Sequence, residues 1–233
     1  MQVLIVGAGI AGPTLAYWLD RLGHEPTLVE SAPELRRGGY VVDFWGAGFD
    51  VAERMGIVPE LRRSGFHIVE ARAVGRNGRQ IASFAPSAFV GSGDRYVTIA
   101  RSDLAAAICG AVNGRVEMMF GDTVEALDDD GSQVSVTFRS GTRRRFDLVI
   151  GADGLHSRVR LLTFGAQERF ENHLGIVVAA FDVVGYRPRD ELVAVMHADV
   201  GFQLLRMSLH DGATMFLVTL RDSGDVPLDR PRE

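Results

Sequence analysis

The sequence predicts an α/β fold with a parallel sheet and a β-meander, joined to a mainly-β part. The first observation is an apolar run at residues 3–6, which is typical of a parallel strand buried on both faces. The second is the recurrence of this pattern at residues 147–154, where another apolar run enters a glycine-rich turn. The third is a series of alternating or apolar segments from residue 174 onward, which predicts consecutive strands.

The first apolar run leads directly into the hexapeptide Gly7-Ala8-Gly9-Ile10-Ala11-Gly12. This spacing predicts a dinucleotide site, in which Gly7 permits a tight turn, Gly9 lets the backbone approach a pyrophosphate and Gly12 lets the next helix pack closely. The helix N-terminus, including Ile10 and Ala11, would offer its N–H groups to the phosphates. The alternative is a chance triplet, since the chain contains 27 glycines.

The residues that follow the hexapeptide fit the same interpretation. A helix is predicted next, with Gly23 at its end and an apolar stripe formed by Leu15, Trp18, Leu19 and Leu22. A second strand is predicted at residues 27–30, and Glu30 stands at its carboxyl end. A carboxylate there accepts hydrogen bonds from an adenosine ribose and repels a 2′-phosphate, so NAD or FAD fits and NADP does not.

The composition of the 233-residue chain excludes several classes of protein. Its 46% of hydrophobic and 24% of charged residues are typical of a soluble globular protein. The net charge of -5 argues against nucleic acid and membrane partners. The sequence contains no lysine, which excludes Schiff-base chemistry, and its six histidines are scattered, so we expect no metal site.

The single cysteine and the N-terminus predict the cellular compartment. Cys109 cannot form an internal disulfide, and its apolar helical surroundings favour a small core residue over a reactive thiol. The first apolar run is too short for a signal peptide, and no run has the length of a membrane span. We therefore expect a cytoplasmic protein.

A hairpin interrupts the alternating β-α pattern. Asn77-Gly78, the strongest short hairpin signal, joins strands predicted at residues 67–74 and 80–84. We therefore expect two discontinuous domains, a dinucleotide-binding domain of residues 1–65 and 95–170 and a mainly-β domain of residues 66–94 and 171–233.

The dinucleotide-binding domain is completed after the hairpin. A helix with Leu104 and Ile108 on its apolar stripe is predicted to begin at Arg101, with Ser102 as its cap. Another strand of the parallel sheet and the three strands of the meander are predicted at residues 116–120, 124–127, 134–138 and 143–146.

Three spaced motifs resemble those of a known family. The glycine hexapeptide with Glu30, then Arg36, then Arg101, and finally DLVIGADGLHSR at residues 147–158 resemble the FAD-dependent aromatic hydroxylases, the single-component flavin monooxygenases of the p-hydroxybenzoate hydroxylase type. The resemblance extends over nearly the whole chain. It implies a Rossmann-like (GR2-type) FAD-binding domain and a partial mainly-β substrate-binding sheet, with FAD as cofactor and NAD(P)H as transient reductant.

The resemblance also implies roles for single residues. The glycine loop would hold the FAD pyrophosphate and Glu30 the adenosine ribose. Arg36 would contact the flavin cofactor, although its neighbour Arg37 could take that role, and a solvated charge pair is the alternative. Arg101 would reach FAD from the start of its helix, the alternative being a surface arginine.

The second glycine-rich turn has two interpretations. By resemblance, Asp153 and Gly154 would contact both FAD and NAD(P)H. The alternative is an ordinary left-handed turn in which Asp153 only caps the next helix. Asp43 and Trp45 follow a strand that passes near the flavin ring in this fold, so they are candidates for the pocket lining, although a packing role is as plausible.

The implied activity is NAD(P)H- and O2-dependent hydroxylation of an aromatic or polycyclic small molecule. The flavin would activate dioxygen at its C4a carbon, and the protein would supply positioning and a dry pocket, so we assign no catalytic acid or base.

One motif of the family is missing. Its third motif is a Gly-Asp followed by a glycine-rich helix, whereas Gly224-Asp225 is followed by only eight residues, none of them glycine. The alternative function is therefore a non-catalytic FAD- or dinucleotide-binding module, or one half of a split enzyme. Because unpaired strands at the end of an open sheet invite pairing, we also expect a homodimer or a complementing second chain.

Overall fold

The computed structural model describes residues 1–36, 39–88, 95–186, 191–208 and 213–222. The chain forms two compact units, and each of them draws on separated segments. The first unit consists of Met1–Gly38, Asp50–Ser64 and Ile99–Glu171, and the second of Gly39–Phe49, Gly65–Thr98 and Asn172–Glu233.

The elements alternate between short strands and helices in the first two thirds of the chain and are almost all strands thereafter. The strands are β1 (Gln2–Val6), β2 (Glu25–Glu30), β3 (Val41–Trp45), β4 (Glu70–Val74), β5 (Gln80–Phe84), β6 (Tyr96–Ala100), β7 (Glu117–Phe120), β8 (Val124–Asp129), β9 (Val134–Phe138), β10 (Arg143–Phe146), β11 (Leu148–Gly151), β12 (Ile176–Val184), β13 (Val193–Asp199), β14 (Phe202–Ser208) and β15 (Ala213–Arg221). The α-helices are α1 (Ala11–Arg21), α2 (Ala47–Met55), α3 (Val58–Ser64), α4 (Arg101–Val112) and α5 (Arg158–Phe164).

The first unit is built on a parallel sheet in the order β11-β1-β2-β7. Strand β1 lies inside this sheet, and Val3, Leu4 and Ile5 are fully buried, as expected for a strand covered on both faces. Strands β8, β9 and β10 form the predicted antiparallel meander. Phe138 and Phe146 of the meander pack with residues of β1 and β2 in one hydrophobic core. The predicted α/β class is confirmed.

Helix α1 packs through a different face from the one predicted. The expected stripe of large apolar residues ends in Leu22, which is 71% exposed. The buried positions are instead Gly12, Pro13, Ala16 and Tyr17. A side chain at Gly12 would overlap the Gly7 carbonyl and crowd Leu28 of β2, so the small residue lets the helix approach the loop and the sheet closely. The predicted end of the helix is confirmed, since Gly23 has a left-handed φ of +78°.

Helix α4 begins earlier than its predicted cap. Ser102 was expected to cap it, but the helix starts at Arg101 and follows Ala100, whose extended backbone makes no side-chain capping bond. Strand β6 thus runs straight into the helix, which places Ser102 inside the first turn. The predicted stripe is correct at Leu104 and Ile108, and Cys109 is buried beside them.

The second unit contains a six-stranded sheet in the order β12-β15-β14-β13-β4-β5. The predicted hairpin is confirmed, since β4 and β5 pair antiparallel and Gly78 in their turn has a φ of +74°. Strand β13 pairs in parallel with β4, so the hairpin and the later strands share one sheet. Strands β3 and β6 form a separate two-stranded sheet.

Two leucine truncations test which helix faces are buried. We expect Leu22→Ala to change the free energy of unfolding by less than about 0.5 kcal/mol, since its side chain already contacts water. Leu104→Ala should cost about 2–5 kcal/mol because Leu104 is almost fully buried. Urea unfolding of both variants measures the difference. A Leu22→Ala loss as large as that of Leu104→Ala would show that the predicted stripe was right after all.

Candidate dinucleotide site

Three sequence motifs meet at one edge of the parallel sheet. Strand β1 ends at the glycine loop, β2 ends at Glu30 and β11 ends at the second glycine turn. These strands are parallel neighbours, so their carboxyl ends lie side by side. Backbone hydrogen bonds between neighbouring strands continue past the strand ends. The Gly7 N–H donates to Val29 O at 2.7 Å, and the Ala152 N–H donates to Val6 O at 2.8 Å.

The glycines of the first loop differ in what surrounds them. Gly7 has a φ of +107°, and a Cβ there would lie 2.5 Å from Ala152 O in the second glycine turn. A Cβ at Gly12 would lie 1.9 Å from Gly7 O, so the start of α1 packs directly on the loop. A Cβ at Gly9 would meet no atom within 4 Å. Gly7 and Gly12 are therefore required by packing, whereas Gly9 faces open space.

The N-terminus of α1 has the properties of an anion site. Among the described residues, the N–H groups of Gly9, Ile10 and Ala11 donate no hydrogen bond. The helix has no side-chain cap and no acidic residue in its first turn. Gly9 and Ala11 are exposed. Free N–H groups at the positive end of a helix dipole bind phosphates.

Glu30 binds the loop from the neighbouring strand. Its Oε2 accepts a hydrogen bond from Ala8 N at 2.9 Å, and its Oε1 accepts one from Ala32 N at 2.9 Å and one from Ser31 Oγ at 3.0 Å. Burial raises the pKa of the Glu30 carboxyl, but these hydrogen bonds and the charge of Arg36 lower it below its ordinary value of 4.5. The charged carboxylate thus stabilises the loop, a role that the sequence analysis missed.

A cavity of about 660 Å³ lies in the first unit, and Cys109, one of its lining residues, also contacts Ala8 O of the loop. It is open to solvent and is lined by the segment after β2, by α4 and by β7, through Leu35, Arg36, Ala106, Cys109, Met118 and Phe120 among others. Its volume is in the range of sites that hold small molecules and cofactors.

One of the predicted arginines lines the cavity. Arg36 lies on its wall beside residues of α4, and Arg101 is the exposed first residue of that helix. Arg37, the alternative to Arg36, lies outside the described residues. Two predicted motifs that are 65 positions apart in the sequence therefore border one region of the first unit.

The second glycine turn has the geometry of a helix cap. The Asp153 carboxylate accepts hydrogen bonds from Ser157 Oγ, from Arg158 N at 2.6 Å and from Val159 N at 3.1 Å. Gly154 has a φ of +81°, which is the left-handed region. The structure thus has the features of the capping alternative, and the predicted contact of Asp153 with a cofactor stays a prediction.

Asp43 and Trp45 lie on β3 of the second unit. Thr98 Oγ1 donates a hydrogen bond to Asp43 Oδ1 at 2.6 Å, and the Tyr96 hydroxyl lies 2.8 Å from Thr98 Oγ1. Tyr96 and Thr98 are buried, whereas Asp43 and Trp45 are exposed. The Asp43 carboxylate is therefore held by the buried Thr98 hydroxyl, which in turn bonds to the buried Tyr96 hydroxyl.

Neither a metal site nor a membrane span is found among the described residues. Within them, no three His, Cys, Asp or Glu side chains are grouped so that they could bind a metal ion. In the same part of the chain, no helix combines the length and the apolar character needed to cross a bilayer.

The parallel sheet, the glycine loop and the uncapped helix define a dinucleotide-binding α/β protein. The sequence profile described as "FAD binding domain" matches residues 1–223. The chain therefore belongs to the FAD binding domain family, and FAD is its cofactor.

Individual proteins extend this comparison. An uncharacterised protein of Mycobacterium tuberculosis strain H37Rv is 40% identical over 190 residues, which are 81% of this chain and 51% of that protein. A flavin-dependent monooxygenase of an unknown prokaryotic organism is 32% identical over 84% of this chain and 51% of its own length. The crystal structure of the tetracycline destructase Tet(51) has a TM-score of 0.82 at 29% identity and covers 99% of this chain and 59% of that one. The chain thus spans about half the length of the curated relatives it matches.

The pH dependence of stability tests the role of Glu30 in the loop. The lowered pKa means that the ionised carboxylate stabilises the fold above pH 4.5 and that this contribution is lost as the pH falls through the lower folded pKa. We therefore expect Glu30→Gln to be less stable than the wild type at pH 7, with a difference that shrinks below pH 4.5. Urea unfolding of both proteins at a series of pH values measures this difference in unfolding free energy.

A matched control is Glu60→Gln, which removes a solvent-exposed ion pair with Arg63. Such pairs contribute about 0–1 kcal/mol, so this variant should follow the wild type across the pH range. If Glu30→Gln also followed the wild type, the charge of the Glu30 carboxylate would contribute nothing to stability.

Proposed function

We propose that this chain is the FAD-binding part of a monooxygenase that uses NAD(P)H and O2 to hydroxylate an aromatic or polycyclic small molecule. The observation that carries the proposal is the free helix N-terminus at Gly9–Ala11, which follows the loop that Glu30 holds, in a chain of the FAD binding domain family. The name of one relative, flavin-dependent monooxygenase, supports the reaction class. When bound, FAD supplies the redox chemistry, accepting electrons from NAD(P)H and activating dioxygen.

The residues of the site fit the adenine half of FAD. The N–H groups of Gly9, Ile10 and Ala11 would bind the pyrophosphate, for which the absent Cβ of Gly9 leaves room. Oε2 of Glu30 accepts one hydrogen bond and has a second lone pair, with which the carboxylate would also accept from a ribose hydroxyl, whereas Oε1 already accepts two. The cavity bordered by Arg36 is large enough to take the adenine ring.

We infer the remaining predicted contacts from where the residues lie in the first unit. Arg36 and Arg101 would pair with negative or polar groups of the cofactor, which suits the planar guanidinium group. Asp153 would act by fixing the turn that presents the exposed Gly154 to FAD or NAD(P)H. The chain's own residues thus bind and orient, and we assign none of them as acid or base.

The second unit would contribute to the substrate site. We propose that the sheet of residues 66–94 and 171–233 forms one wall of the substrate pocket and that residues 1–65 and 95–170 form the FAD-binding domain. The structural similarity to Tet(51), whose name gives tetracycline as the compound it destroys, favours a polycyclic substrate. Asp43 and Trp45 remain candidates for the pocket lining.

A second candidate function is a non-catalytic flavin module or one half of a split enzyme. Gly224-Asp225, considered for the third FAD motif, lies outside the described residues.

Loading with FAD and turnover are measured separately. We expect the purified chain to bind FAD, seen as quenched flavin fluorescence, and Gly9→Ala to bind it at least about ten-fold more weakly, because the new methyl group occupies the space of the pyrophosphate. The unfolding free energy of the FAD-free variant should match that of the wild type, since no atom lies near the new Cβ. A colourless wild-type chain that cannot be loaded with FAD contradicts the proposal.

NAD(P)H consumption, with and without tetracycline and simple phenols, then separates the two candidate functions. Substrate-stimulated consumption by the loaded chain supports the monooxygenase. FAD binding without any consumption supports the non-catalytic module or the split half.

The edge strand β12 is the place where we propose that a second chain pairs, either another copy or a complementing one. Ile176, Val178, Phe181 and Val184 are each at least half exposed, and within the described residues β12 pairs only with β15. An exposed apolar edge strand without lysine or proline is a template for strand addition.

Sedimentation of the wild type should therefore show association that increases with concentration. Val178→Lys should weaken it, because a charge on an edge strand opposes pairing. Leu22→Lys, at an apolar and exposed position directly after α1, is the control and should leave association unchanged. A wild type that stays monomeric at high concentration would rule out the pairing of two copies at β12.

A further inference from the structure

The thiol of Cys109 contacts the glycine loop from the interior of the first unit. Cys109 lies on the buried side of α4, and only 2% of its surface is exposed. Its Sγ lies 3.8 Å from Ala8 O, and the thiol donates a hydrogen bond to this carbonyl. Ala8 is the residue between Gly7 and Gly9, so the contact reaches the centre of the loop.

This carbonyl belongs to the peptide group whose N–H is that of Gly9. A trans peptide is planar, and its C=O and N–H point in opposite directions. When Ala8 O is held toward Cys109 in the interior, the Gly9 N–H must point away from the interior, to the exposed side of the loop. That N–H is one of the groups that donate no hydrogen bond within the described residues.

The preceding peptide group is held by Glu30. The Ala8 N–H donates to Glu30 Oε2 at 2.9 Å, so consecutive peptide groups of the loop are fixed by different side chains. Burial, and then the charge of Glu30, raises the pKa of the Cys109 thiol to about 11. The sulfur therefore keeps its proton at neutral pH and remains a donor.

We propose that Cys109 is a positioning residue for cofactor binding, whose thiol holds the Ala8–Gly9 peptide so that the Gly9 N–H faces the pyrophosphate. The proposal rests on the proposed binding of the FAD pyrophosphate at this loop. Cys109 would not touch the cofactor through this bond. It would act through the backbone of the loop. Cys109 is the only cysteine of the chain.

Two pairs of variants separate the effect of the hydrogen-bond donor at position 109 from the effect of side-chain shape. Cys109→Thr and Cys109→Val have side chains of the same shape, and only threonine can donate a hydrogen bond. Cys109→Ser and Cys109→Ala repeat the comparison with smaller side chains, in case the larger pair does not fold. We expect the dissociation constant for FAD to be about five-fold higher for the non-donor of each pair, the effect of one typical hydrogen bond.

The readouts are the dissociation constant for FAD by flavin fluorescence and the unfolding free energy of the FAD-free chain. A merely structural thiol would change stability and leave the FAD affinity of the folded chain equal within each pair, which would overturn the proposal. If the wild type binds FAD and the pairs do not differ, positioning by Cys109 fails while the proposed function stands. A wild type that binds no FAD overturns both.

Discussion

The backbone contact between Gly7 and Ala152 is the constraint on which the whole site depends. These residues end the adjacent parallel strands β1 and β11, and a side chain at Gly7 would overlap Ala152 O. The two glycine turns therefore limit each other's conformation. Gly12 extends the constraint, because the first turn of α1 packs on Gly7 O. The site is a stack of three backbone segments held too close together for side chains.

Side chains from outside this stack fix its polar groups. Glu30 accepts the Ala8 N–H and Cys109 contacts the Ala8 carbonyl, so the peptide groups of the loop are held before any ligand arrives. A preorganised loop loses less conformational freedom on binding than a flexible one. The N–H groups that remain free are those at the start of α1, where an anion is most stabilised.

Much of the fold was predictable because its signals are local. Apolar runs predicted β1, β2 and β11, although β11 has no fully buried residue, and turn residues such as Asn77-Gly78 predicted the hairpin. The buried face of α1 was predicted wrongly, because apolar periodicity favours large side chains while the sheet accepts Gly12 and Ala16. The cap of α4 was also misplaced, since the extended backbone of Ala100 leads into the helix without a side-chain cap.

The sequence by itself determined the family, the cofactor and the residue types of the loop, because a glycine spacing and an acid at a strand end encode local backbone requirements. Only the tertiary structure decided which atoms these residues contact. Glu30 bonds to the loop, Asp153 caps α5, and Cys109 reaches Ala8 across 101 positions of sequence. Such contacts depend on the register of parallel strands and on the rotation of packed helices, which arise from many weak interactions along the chain and leave no local pattern.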